Sequence, residues 1–194
     1  MRLKDETKNQ AIFDATIELI HEIGLSELSM SKIAKRAKLS SATIYVYYEN
    51  KEDLLLKLYL DIKGKMGSSM LKDVHEGMST KQHCYTFMRN ALDFILHNQR
   101  WYLVLEQFSS SPLIDKLCIE DTAPLFAPLY RFVEDGQRSG QLKQVEASLL
   151  LSYCYFPVIQ LAKSMFDHTE AVDEEQFNTV FALSWDAISQ KTNE

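Results

Sequence analysis

Apolar residues recur along this chain at intervals of three and four, and alternating runs of the strand type are hard to find. The pattern predicts an all-α fold. From residue 5 to residue 23, Ile12, Ala15, Thr16, Leu19, Ile20 and Ile23 share one broad helical face, and Gly24 suits a left-handed residue just past its end. Met30, Ile33, Ala34 and Ala37 resume the helical spacing after Ser29, whose side-chain oxygen can accept an orphan amide hydrogen at a helix start. Lys32 stands where a capping box would carry Glu or Gln. Ser40 repeats the cap signal ahead of Ser41-Ala42-Thr43-Ile44-Tyr45-Val46-Tyr47-Tyr48, a segment in which only Ile44 and Tyr48, four apart, need face inward.

A further helix opens at Lys51, with Glu52 and Asp53 in the first turn where the helix dipole favours carboxylates. Leu54, Leu55, Leu58 and Ile62 extend its apolar face toward Lys72, while the glycines of Gly64 to Ser69 suit either a hinge or a frayed junction. Residues 81–97 carry apolar positions too widely spread for one narrow stripe, so that helix is expected to be buried on more than one side. A short helix over 100–109 ends at Ser109-Ser110-Ser111-Pro112, and a longer helical region follows, interrupted by Pro124 and Pro128 and closed by Gly136 and Gly140. Two last helices are predicted at about 145–166, with a kink at Pro157, and at about 174–191. Both carry apolar residues on so many sides that a two-fold interface with a second copy is the economical explanation.

Charge changes the picture at one place. The chain of 194 residues carries a net charge of −6, yet between Ser29 and Lys51 five cations face Glu49 alone, a local +4. A positive patch on a negative protein, beside a helix whose outward residues are small hydroxyls and tyrosines, suits the phosphates and groove of DNA. An ordinary helical hairpin with solvated lysines fits the same pattern. No run of about 18 apolar residues and no signal-peptide core is present, so a cytoplasmic protein without a membrane span is expected. Cys84, Cys118 and Cys154 are widely spaced, which favours reduced structural thiols over a redox role. His21, His75, His83, His97 and His168 are scattered, and no GxSxG, P-loop, GxGxxG or HExxH pattern occurs, so neither catalysis, metal nor cofactor is expected.

Residues 8–60 resemble the N-terminal domain of the TetR family of bacterial transcriptional regulators. The resemblance rests on Ile12, Ala15, Leu19 and Gly24, then Ser29-x-x-x-Ile33-Ala34, then Ala37-x-Leu39-Ser40-x-x-Thr43-Ile44-Tyr45-x-Tyr47-Tyr48 and Asn50-Lys51-Glu52-x-Leu54. Lys38 replaces the glycine usual in the turn, and Ala42 a glycine frequent early in the recognition helix. The resemblance implies a three-helix helix-turn-helix DNA-binding domain over 1–50 and a helical ligand-binding and dimerisation domain over 51–194, with 51–72 as the linking helix.

On that reading Ser29 and Ser31 are candidates for contact with phosphate or a base edge, Ser41, Ala42 and Tyr45 for base contact in the major groove, and Thr43, Tyr47 and Lys51 for phosphate. The implied partners are a palindromic double-stranded DNA operator, a second copy joined through the last two helices, and a small apolar or aromatic effector whose binding releases the DNA. Phe87, Phe94, Trp101, Phe108, Phe126, Tyr130, Tyr153 and Gln160 are candidates to line the effector cavity, although aromatic residues at helical spacing fill cores as readily. The alternative function is a constitutive DNA-binding or protein-interaction dimer of the same fold without an inducer. A repressor is expected ahead of an activator on family grounds.

Overall fold

The computed structural model describes the backbone of residues 2–116, 119–166 and 173–190, and the side chains of 6–115, 124–166 and 173–190. Cys118, His168 and Lys191 lie outside the described residues. Among the latter the chain forms nine α-helices: α1 Arg2–Ile23, α2 Met30–Arg36, α3 Ser41–Tyr47, α4 Lys51–Met70, α5 Thr80–His97, α6 Gln99–Ser109, α7 Ile119–Arg138, α8 Ala147–Met165 and α9 Glu174–Ile188. A 3₁₀ turn at Pro112–Lys116 separates α6 from α7. The all-α expectation holds. The chain divides into two compact units, residues 1–63 with 100–121 and residues 64–99 with 122–194.

In the first unit, Ile12, Ile20, Ile33, Ile44, Leu54, Leu55 and Leu58 are withdrawn from solvent and make one core beneath three short connections. Each connection has a local cause. Gly24 takes φ +74° and its amide donates to the Ile20 carbonyl at 3.0 Å, which ends α1. Ser29 caps α2 by accepting from the Lys32 amide at 3.3 Å, and Ser40 caps α3 by accepting from the Thr43 amide at 3.1 Å. Between them Lys38 takes φ +56°, the left-handed conformation that glycine adopts more easily. The Leu39 amide closes that turn on the Ala34 carbonyl at 2.9 Å. The Tyr48 hydroxyl donates to Asn9 on α1, and the Tyr59 ring packs on Phe108 of α6 with centroids 4.9 Å apart. His21 Nε2 donates to the Arg100 carbonyl at 3.1 Å, so α6 belongs to this core.

The second unit is centred on α5. Ser79 and Gln82 form a reciprocal capping box at its start, and Cys84, Phe87, Met88, Ala91, Leu92, Phe94 and Ile95 are buried along it. That spread exceeds one stripe because α8 and α9 both pack on it. Tyr85 sets its ring edge against Phe177 and Phe181 at 5.2 and 5.0 Å, and Arg89 grips both carboxylate oxygens of Glu174 at 2.7 Å. At the far end of α9 the Lys143 amide donates to the Ile188 carbonyl at 3.0 Å and the Gln190 amide to the Gln141 carbonyl at 2.8 Å.

Two expectations need correction. Pro124 and Pro128 do not interrupt the helical region; α7 runs through both. Each proline removes one amide donor, but burial of Leu129, Phe132 and Val133 holds the rest of the helix in place. Gly64 and Gly67 sit inside α4, which is continuous to Met70, so the segment is not frayed, and the division between the two units falls at Lys63 and Gly64. A Cβ on Gly67 would lie 2.9 Å from the Leu125 carbonyl oxygen, so glycine there permits a close approach of α7. α8 carries Pro157 inside it, as expected for one helix over that region.

Candidate nucleic-acid interface

Seven residues make α3 about 10 Å long at 1.5 Å per residue, short enough to lie in a groove about 12 Å wide. Ile44 is its one buried residue. The outward side consists of two rows at i, i+4 spacing: Ser41 with Tyr45, and Ala42 with Val46. Tyr45 is 55% exposed and Val46 80%, the latter an unusual position for a β-branched apolar side chain with a core close by.

A surface cleft of about 440 Å³ joins the start of α2, the first row of α3 and the start of α4. Ser29, Ser31, Ser41, Tyr45 and Lys51 line it together with Asn50. Five of the eight residues singled out for DNA contact therefore share one cleft. Ala42 lies just outside it on the exposed second row. Thr43 is half-buried, and its hydroxyl is 2.8 Å from the Ser40 hydroxyl that caps the same helix. Tyr47 faces another way, lining a separate cleft with Asn9, Phe13, Tyr48, Lys57 and Asp61. Tyr48 is core, 3% exposed, and burial followed by the nearby Asp53 and Asp61 carboxylates pushes its phenol well above the usual range.

The charge of the patch is smaller than the sequence count. Arg36 donates to Glu22 at 2.8 Å and to Glu18 at 3.0 Å, both on α1. The Arg36 hydrogen bond lowers the Glu22 carboxyl, and the Glu22 and Glu18 hydrogen bonds raise the guanidinium above its already high ordinary value. Arg36 is thus a clamp between α1 and α2. Lys32 donates to the Glu27 carbonyl at 2.8 Å, a contact that leaves its charge uncancelled. The exposed cations of the patch are Lys32, Lys35 and Lys38, with Lys51 half-buried at the cleft. Lys35, Lys38, Val46 and Asn50 were absent from the contact residues expected from sequence. For Val46 the signal was available: it follows Ala42 by four and lies off the Ile44 face.

Residues 12–58 match the family described as bacterial regulatory proteins, tetR family, and residues 80–189 match the tetracyclin repressor-like C-terminal domain. The second match alone covers more than half of the chain. This chain belongs to the TetR family. The fatty acid metabolism regulator protein of Bacillus subtilis is 39% identical over 139 residues, 71% of this chain and 72% of the relative. A TetR family transcription regulator from Marinobacter aquaeolei VT8 superposes with a TM-score of 0.87 at 27% identity, over 98% of this chain and 100% of that one. The regulator FadR of Bacillus subtilis, solved in complex with stearoyl-CoA, has the same fold, with a TM-score of 0.75 at 23% identity over 92% of this chain and 98% of that one.

As a TetR-family regulator the protein is a DNA-binding transcription factor, and α2, the Lys38 turn and α3 are its helix-turn-helix. The residues expected to line an effector cavity fall in both units: Trp101 and Phe108 in the first, the other six in the second. Phe108 is fully buried on Tyr59, Phe87 is buried with its ring edge-on to Phe132 at 5.0 Å, and Phe94 is buried on α5. Trp101 and Phe126 are half-buried, whereas Tyr130, Tyr153 and Gln160 are exposed. His83 donates from Nε2 to the His75 carbonyl at 3.3 Å and packs near Phe87 and Phe132, an ordinary helix-surface role. Among the described residues no three His, Cys, Asp or Glu side chains gather as a metal site, and no helix is long and apolar enough to cross a membrane.

Proposed function

We propose that this regulator is a homodimeric repressor that reads a palindromic operator through Ser41, Ala42, Tyr45 and Val46 of α3. Ser29, Ser31, Thr43, Tyr47 and Lys51 supply the groove-edge and phosphate contacts. The observation that carries the reading is the inverted exposure of α3: Ile44 anchors the helix, while both outer rows, with Tyr45 and Val46 the bulkiest, are free to meet base edges and thymine methyls. A dimer would set two such helices about 34–36 Å apart, one turn of DNA.

The dimer surface we assign to α8 and α9. Leu149, Tyr153 and Phe156 form an exposed i, i+4, i+7 stripe on α8, and Leu183 is 67% exposed on α9. For the effector, the fatty acid regulator among the relatives and the stearoyl-CoA held by FadR support a long-chain acyl thioester, a narrower class than a small apolar molecule. Effector binding acts as a population shift, favouring a dimer geometry that no longer fits the operator. The core packing of Phe87, Phe94 and Phe108 favours a second reading, a constitutive dimer without an inducer.

Mobility shift on the DNA upstream of the protein's own gene, at stated salt and against a random duplex, tests the first part. Preferential retention of the upstream fragment is expected. Absence of binding to either duplex at low salt overturns the operator reading. Stearoyl-CoA is then titrated into the complex with free coenzyme A as control. Release by the acyl thioester alone supports the inducible repressor, and no release by any chain length supports the constitutive dimer.

A further inference from the structure

The packing of α5 on α8 brings together two thiols that lie 70 residues apart in sequence. Cys84 Sγ and Cys154 Sγ are 3.6 Å apart, in van der Waals contact, and both are free. A disulfide needs about 2.05 Å between the sulfurs, so closure takes roughly 1.5 Å of approach. The two environments are unequal. Cys84 is 1% exposed, with the Met88 thioether 3.8 Å from its sulfur, and Cys154 is half-buried. The hydrogen bond with Cys154, then burial, holds the Cys84 thiol well above its ordinary pKa, so it remains protonated at neutral pH. Access thus assigns the two thiols different tasks, with Cys154 the one that a solute reaches first.

We propose that Cys84 and Cys154 form a reversible dithiol–disulfide switch closed by hydroperoxides. The Cys154 thiolate attacks the terminal oxygen of the hydroperoxide. An S–O bond forms, the O–O bond breaks, and the alkoxide leaves as the alcohol after taking a proton, with Cys154 left as a sulfenic acid. The Cys84 sulfur then attacks the Cys154 sulfur. The S–S bond forms, the S–O bond breaks, and the departing hydroxide takes the Cys84 proton and leaves as water. Two thiols lose two electrons and one hydroperoxide gains them. A reducing dithiol reverses the step. The bond ties α5 to the helix that carries Leu149, Tyr153 and Phe156, so oxidation acts on the surface assigned above to dimerisation. That consequence rests on the proposed function; the switch itself does not.

The test uses the full chain with Cys118→Ser, which removes the third thiol, and stoichiometric hydrogen peroxide followed by denaturation, maleimide labelling and peptide mass mapping. Loss of both reactive thiols, a cross-linked peptide pair containing Cys84 and Cys154, and full recovery with dithiothreitol are expected. Cys84→Ser stops at a Cys154 sulfenic acid that dimedone traps, and Cys154→Ser leaves Cys84 unoxidised over the same time. The wild-type chain is mapped in parallel, so the result does not depend on any variant folding. Persistence of both thiols, sulfinic acid on Cys154 without the linked peptide, or linkage only between chains overturns the proposal. Because the reading is covalent, each of these outcomes leaves the DNA-binding conclusion where it stood, and mobility shift of oxidised against reduced protein separates the two.

Discussion

α3 and α8 both hold large side chains out to solvent, yet they are built for different surfaces. On α3 the exposed Tyr45 and Val46 follow Ser41 and Ala42 by one turn, and Tyr45 shares its cleft with Ser29, Ser31 and Lys51. On α8 the exposed Leu149, Tyr153 and Phe156 form one continuous apolar stripe. An apolar group beside hydroxyls and a cation can meet a polyanion whose grooves carry methyl groups. An apolar stripe of that length lowers the free energy most by burying itself against a like surface. Exposure alone therefore does not define an interface; the polar surroundings select the partner.

The contrast can be broken first at its anchor. Ile44→Ala empties the only buried position of α3 and should cost about 2–5 kcal/mol, read as a lowered thermal midpoint together with loss of all DNA binding. A variant that unfolds at the wild-type temperature would refute the idea that one side chain seats this helix. Phe156→Glu places a carboxylate in the proposed dimer stripe and should weaken self-association by about 100-fold, some 3 kcal/mol, measured by sedimentation. An unchanged dimer would move the interface off α8. Tyr45→Ala should leave the unfolding free energy within about 0.5 kcal/mol of wild type while removing about 1–3 kcal/mol of preference for one operator position. Lys51→Ala should instead weaken all duplexes alike and reduce the salt slope by about 1. If the two variants lose specificity equally, the division between base and phosphate contact within the cleft fails. The smallest effect is expected at the turn. Lys38 holds φ +56°, and Lys38→Gly should stabilise the fold by about 1 kcal/mol or less with operator preference unchanged, as chemical denaturation can show.

Much of the first unit was legible because its signals are local. Ser29 and Ser40 cap the helices that they precede, Gly24 and Lys38 take the left-handed turns, and Ile44 and Tyr48 face inward as a four-residue spacing requires. The charge of the patch was misjudged for the opposite reason. Glu18 and Glu22 lie 18 and 14 residues before Arg36, and only the packing of α1 on α2 reveals that they neutralise it. α7 shows the same limit. Its prolines carry a strong local signal for a break, which the burial of Leu129, Phe132 and Val133 overrides.

The sequence by itself determined the all-helical class, the caps and turns of the helix-turn-helix and the family to which the chain belongs. Each of these depends on residues within a few positions of one another, where backbone sterics and hydrogen bonding act directly. Tertiary structure alone decided that α6 packs with the N-terminal core, that Phe108 is buried while Tyr153 is exposed, and that Cys84 meets Cys154. Those outcomes depend on which helical faces oppose each other, and an apolar side chain at helical spacing carries the same pattern whether it meets a core, a partner or solvent.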